Sequence, residues 1–111
     1  MPLIRLVTSS VHYDEKNLIK IISSEFSTLL KKPEKYIMVT IENNDNMIFD
    51  ASFEPSAYLE IKSIGLTDRP YLVKNACQLI EKYTDITSNR IYINLQDVKA
   101  SDWGYNNSTF G

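Results

Sequence analysis

The sequence predicts an α+β fold in which two duplicated β-α-β units build one four-stranded mixed sheet with two helices on one face. Three observations carry that prediction. Short runs alternate aliphatic with polar residues, the period of half-buried strands. Two longer stretches between those runs place apolar residues at helical spacing. The two halves also echo each other: Lys35-Tyr36-Ile37-Met38-Val39 corresponds to Asn89-Arg90-Ile91-Tyr92-Ile93.

The first strand is read from Met1-Pro2-Leu3-Ile4-Arg5-Leu6-Val7, which has no positively charged leader before an apolar stretch and so does not read as a secretory signal. Asp14 then offers a helix N-cap. After it Leu18, Ile22, Phe26, Leu29 and Leu30 recur at helical spacing, and Lys31-Lys32-Pro33 closes the segment. The lysines suit the negative end of the helix dipole, and Pro33 cannot continue the helix. Residues Tyr36 to Glu42 form the next strand, with Ile37, Val39 and Ile41 on one face and Tyr36, Met38 and Thr40 on the other.

Asn43-Asn44-Asp45-Asn46 is a polar turn cluster, and Met47 to Pro55 reads as an irregular loop. A third strand, Ala57 to Ile64, ends at Gly65. Thr67-Asp68-Arg69-Pro70 starts a second helix, with proline tolerated in its first turn. Its expected apolar stripe is Val73, Ala76, Cys77, Ile80 and Tyr83. Arg90 to Asp97 is the last strand, with Ile91, Ile93 and Leu95 on one face. Each helix links two strands that pair in parallel with a right-handed crossover. The other sheet face is left open, and in so short a chain further subunits are the natural cover.

Composition narrows the function classes. The 111 residues form a single domain, 1–111, with 43% hydrophobic and 23% charged residues and only 3 glycines and 4 prolines. That is ordinary for a folded domain and excludes a disordered or collagen-like chain. No apolar run approaches the roughly 20 residues that span a bilayer. A net charge of -2 argues against a nucleic-acid partner, which calls for a basic face. One cysteine, Cys77, and one histidine, His12, make no disulfide and a poor metal site, so none is expected. Cys77 reads as an inert residue on an apolar stripe, and His12 as a surface residue.

The motifs go further in combination than singly. Pro2 stands directly after the initiator methionine; Lys32-Pro33 is followed by Tyr36-Ile37; Glu54-Pro55, Ser63-Ile64-Gly65 and Tyr92-Ile93-Asn94 come next; Asn106-Asn107-Ser108-Thr109-Phe110 ends the series. In this order and spacing, across Pro2 to Gly111, the sequence resembles the macrophage migration inhibitory factor family within the tautomerase superfamily. The resemblance implies duplicated β-α-β units assembled as a homotrimer, with active sites between subunits and no cofactor. It also implies keto–enol tautomerisation of small aromatic 2-keto acids such as phenylpyruvate. The alternative it carries is a cytokine-like protein that engages a receptor and has little enzymatic role. The expected location is the cytoplasm, or outside the cell by export without a signal peptide.

Matched residue by residue, Pro2 is the general base once Met1 is removed, because it then carries a secondary amine. An α-amino group titrates near pH 8, and burial disfavours its charged form. Taken alone, Pro2 reads as the start of an edge strand, where a missing N–H does no harm; the accompanying motifs reverse that reading. Lys32 matches the lysine that holds the substrate carboxylate. Ile64 corresponds to a backbone N–H and an apolar wall. Tyr92 and Asn94 lie on the strand face opposite Ile91, Ile93 and Leu95, and by resemblance they reach a neighbouring subunit's pocket.

Trp103, Tyr105 and Phe110 crowd the last residues, and aromatics so close together need somewhere to bury. Phe110 matches the family's aromatic position. Trp103 and Tyr105 depart from the usual pattern, in which the former is aliphatic and the latter tryptophan. Tyr36 is placed at the same pocket mouth. After Glu54-Pro55 the chain carries Ser56-Ala57-Tyr58-Leu59 where mammalian members have Cys-x-x-Cys, so thiol–disulfide exchange is not available there. The two overlapping sequons in Asn106-Asn107-Ser108-Thr109 are expected to stay unmodified in a chain without a signal peptide.

Overall fold

Alternation along the strands decides where the core lies. In β1 (Leu3–Thr8) residues Ile4, Leu6 and Thr8 are buried; in β3 (Ala57–Ser63) it is Ala57, Leu59, Ile61 and Ser63. The computed structural model describes residues 1–111 and shows one four-stranded sheet in the order β2-β1-β3-β4, where β2 is Met38–Asn43 and β4 is Ile91–Asp97. Strands β1 and β2 pair in parallel, β1 and β3 antiparallel, and β3 and β4 in parallel, with Leu3 opposite Met38 and Tyr58 opposite Tyr92. Two parallel units therefore meet along one antiparallel seam.

Both helices pack on the face that holds Ile4, Leu6, Leu59 and Ile61. Helix α1 (Glu15–Leu30) buries Leu18, Ile22 and Phe26, one residue per turn. Asp14 caps it, its carboxylate accepting from the Asn17 N–H at 3.2 Å. Lys31 ends it in the left-handed region at φ 55, where a glycine is the usual choice. Helix α2 (Arg69–Tyr83) is capped by Asp68, which accepts from the Tyr71 N–H at 3.3 Å.

Two expectations change, and one element is added to them. The stripe of α2 is centred on Leu72, Ala76 and Ile80; Cys77 and Tyr83 flank it and Val73 lies to the side. Position 72 is one turn before Ala76 on the same face, and Val73 is rotated off it. Second, Tyr36 is not in a strand. Its N–H donates to Pro33 O at 3.0 Å, closing a 3-10 turn over Glu34–Tyr36 before β2 begins. Arg90 is set apart from β4 in the same way, its N–H bonded to Thr87 O at 2.9 Å in a turn over Ser88–Arg90. The added element is a hairpin in the tail, β5 (Gly104–Tyr105) and β6 (Ser108–Thr109), which turns through Asn106 and Asn107, both at positive φ.

The loop between β2 and β3 is irregular apart from a tight turn in which Phe49 and Ser52 exchange backbone hydrogen bonds at 3.0 Å. Arg90, only 8% exposed, holds this loop. Its guanidinium donates to Phe49 O at 3.1 Å, Ser52 O at 3.2 Å, and Glu54 O and Pro55 O at 2.9 Å. The face away from the helices is polar and open. Arg5 there pairs with Glu42 at 2.6 Å, and Glu60 lies 3.5 Å from Lys62. No helix is long and apolar enough to cross a membrane.

Candidate active site

A cleft of about 390 Å³ opens where the chain begins. Such a volume suits a ligand built on one ring. It is bounded by Met1, Pro2 and Leu3 at the entry to β1, by Lys35, Tyr36 and Ile37 at the turn before β2, and by the tail. The parallel pairing of β1 with β2 makes these segments meet: the Met38 N–H donates to Pro2 O at 3.0 Å, one step before the Leu3–Met38 pair. Pro2 itself is buried.

From the tail come Trp103, Tyr105 and Phe110. The Phe110 N–H donates to Trp103 O at 3.1 Å, so the hairpin returns the chain to the cleft. The rings of Tyr105 and Phe110 stack with centroids 5.8 Å apart, and both meet Tyr36 edge-on, at 5.7 and 6.2 Å. Edge-on and stacked arrangements are those the ring quadrupole favours. The expected gathering of Tyr36 with the tail aromatics is therefore present within one chain.

Lys32 is placed by the end of α1. Its N–H donates to Ser27 O at 3.1 Å, while the Ser27 hydroxyl donates to Lys32 O at 2.6 Å. The half-buried side chain makes no ion pair. Its charge is felt at the chain terminus: burial holds the Met1 amine below its ordinary value, and the Lys32 ammonium lowers it further. An amine so placed gives up its proton more readily than one in water.

Four expected residues do not line the cleft: Lys32, Tyr92, Asn94 and Ile64. Tyr92, 67% exposed, and Asn94 lie on the open face, where Tyr92 packs against Phe49 at 4.6 Å and Asn94 accepts from Gln96 at 3.0 Å. Ile64 follows β3 two residues beyond Lys62, the partner of Leu3, so it sits at the same end of the sheet but does not line the cleft. Lys35, by contrast, was not expected and does line it, its ammonium 4.9 Å from the centre of the Tyr36 ring. Its place beside Tyr36 and three residues after Lys32 is the signal that marks it. Cys77 is half-buried on α2, its thiol pushed up by burial and by Glu81, in keeping with an unreactive group.

Comparison with known proteins agrees with this architecture. The family model described as macrophage migration inhibitory factor (MIF) matches residues 1–111. The crystal structure of a macrophage migration inhibitory factor homologue from Prochlorococcus marinus superposes with a TM-score of 0.91 at 39% identity, covering 98% of this chain and 99% of that one. A macrophage migration inhibitory factor homolog of Trichuris trichiura is 30% identical over 112 residues, 95% of this chain and 98% of the relative. The Xenopus laevis macrophage migration inhibitory factor is 32% identical over 96 residues, 84% of each. Sequence, sheet topology and the matched relatives converge: the chain belongs to the macrophage migration inhibitory factor family and has the tautomerase fold.

Proposed function

We propose that the chain, as one unit spanning residues 1–111, is an isomerase that interconverts the keto and enol forms of aromatic 2-keto acids such as phenylpyruvate, with Pro2 as its base. The observation that carries this reading is a buried proline in second position on an aromatic cleft, next to a Met1 amine that burial and Lys32 hold below its ordinary value. Removal of Met1 makes the Pro2 nitrogen the terminal amine, at a residue that is itself buried. Its lone pair takes a proton from the carbon beside the keto group; the C–H electrons form the C=C bond, and the keto oxygen gains a proton from water. Reversal returns the ketone.

Lys32 holds the substrate carboxylate, and the wall of Tyr36, Trp103, Tyr105 and Phe110 takes the ring. In a homotrimer the open sheet face brings Tyr92 and Asn94 of one subunit to the pocket of the next, and Ile64 adds an apolar edge beside the terminus. The same reading places the protein in the cytoplasm. Pro2→Gly, in a sample of known N-terminal mass, tests the base. The expected result is a loss of about 100-fold in phenylpyruvate turnover, with the oligomer intact by sedimentation. Unchanged turnover would exclude Pro2 as the base.

A further inference from the structure

The cleft is lined by a cation to which the proposed reaction gives no role. Among its lining residues Lys35 is the single charged side chain. Its ammonium sits over the Tyr36 ring at 4.9 Å, so it stands at the aromatic wall. Lys35 lines the cleft and Lys32 does not, so the two lysines hold different places around it. No carboxylate claims Lys35. The adjacent Glu34 instead accepts from the Ser23 hydroxyl at 3.0 Å, and none of the four ion pairs in the chain includes Lys35. An unpaired ammonium at the rim of an apolar cleft favours a ligand that brings its own anion.

We propose that Lys35 is a specificity residue that reads a second acidic group on the far end of the ring, so that the cleft prefers dianionic aryl acids over monoanionic ones. The aryl 2-keto acid as substrate rests on the proposed tautomerase reading; the preference for a second charge rests on the geometry of Lys35. One carboxylate then goes to Lys32 beside Pro2, and a ring carboxylate goes to Lys35.

Binding without turnover separates the two ideas. Trp103 is the single tryptophan and lines the cleft, so its fluorescence reports occupancy whether or not any reaction occurs. The probes are 3-phenylpropanoate and its 4-carboxy derivative, titrated with excitation at the red edge of tryptophan absorption. The dianion is expected to bind about fivefold more tightly at low salt, near the ceiling for a solvent-exposed ion pair, and the advantage should shrink as salt is added. Lys35→Gln should erase the preference and Lys35→Arg should restore it. Equal affinities, a preference that survives in Lys35→Gln, or no binding of either probe would overturn the proposal. A preference that is intact in a protein unable to turn over phenylpyruvate supports the role of Lys35 and counts against the tautomerase reading alone.

Discussion

The two β-α-β halves follow one plan and finish it differently. Asp14 and Asp68 cap the helices, and Leu18, Ile22 and Phe26 occupy the positions that Leu72, Ala76 and Ile80 occupy in the second half. Each helix is followed by a 3-10 turn that leads into an edge strand. At the end of that turn the first half has Tyr36 and the second has Arg90. Where the first half has Pro2 and the half-buried Lys32, the second has Ala57 and Ile86, both buried. Arg90 ties down the loop over its own end of the sheet by four bonds to carbonyls. Tyr36 has no loop to hold and faces a cleft. The repeat supplies two similar mouths: one is closed with backbone, and the other is left for a ligand.

If that contrast is right, equivalent substitutions should have unequal effects. The largest is expected at Arg90. Arg90→Met leaves four loop carbonyls without their donor and should lower stability by about 3 kcal/mol in urea denaturation. Tyr36→Leu, its counterpart, should cost about 1 kcal/mol from lost ring contacts and instead raise KM for an aryl substrate. Equal losses of stability would erase the distinction between a plug and a site.

A smaller asymmetry lies at the far ends of β1 and β3. The buried Thr8 hydroxyl donates to Ser56 O at 2.9 Å and accepts from the Ser10 N–H at 3.0 Å. Its counterpart Ser63 is equally buried, yet its hydroxyl has no hydrogen-bond partner. Thr8→Val should therefore cost about 2 kcal/mol, while Ser63→Ala should be close to neutral, both by chemical denaturation. The smallest effect is expected at Lys31, held at φ 55. Lys31→Gly relieves that strain and should stabilise the chain by about 1 kcal/mol, read as a raised Tm.

What the sequence made readable was local or patterned. Asp14 and Asp68 as caps, Pro33 as a stop and the strand alternation follow from short-range chemistry, and the structure shows each in place. Lys35–Val39 and Asn89–Ile93 are indeed matched turn-and-strand segments. The same offset carries Leu18 onto Leu72, so the repeat already contained the correct phase for α2. The clamp at Arg90 was not readable, because its acceptors are backbone carbonyls 35 to 41 residues away, which no side-chain type advertises. The tail hairpin was missed because Asn106 and Asn107 make its turn at positive φ without a glycine. In the site, Pro2, Tyr36, Trp103, Tyr105 and Phe110 converge as expected, and Tyr92 and Asn94 face the open side of the sheet as the strand alternation predicts, whereas Lys32 and Ile64 do not line the cleft.

The proposed reaction turns on the N-terminal residue, and the most direct measurement compares two samples that differ only there. One begins at Met1 and the other at Pro2, each verified by intact mass, and both are assayed by the absorbance change of phenylpyruvate enol converting to ketone. Turnover about 100-fold faster in the chain that begins at Pro2 is the predicted result. Equal rates would contradict it, since a Pro2 nitrogen in an amide has its lone pair delocalised into the carbonyl and cannot accept the proton.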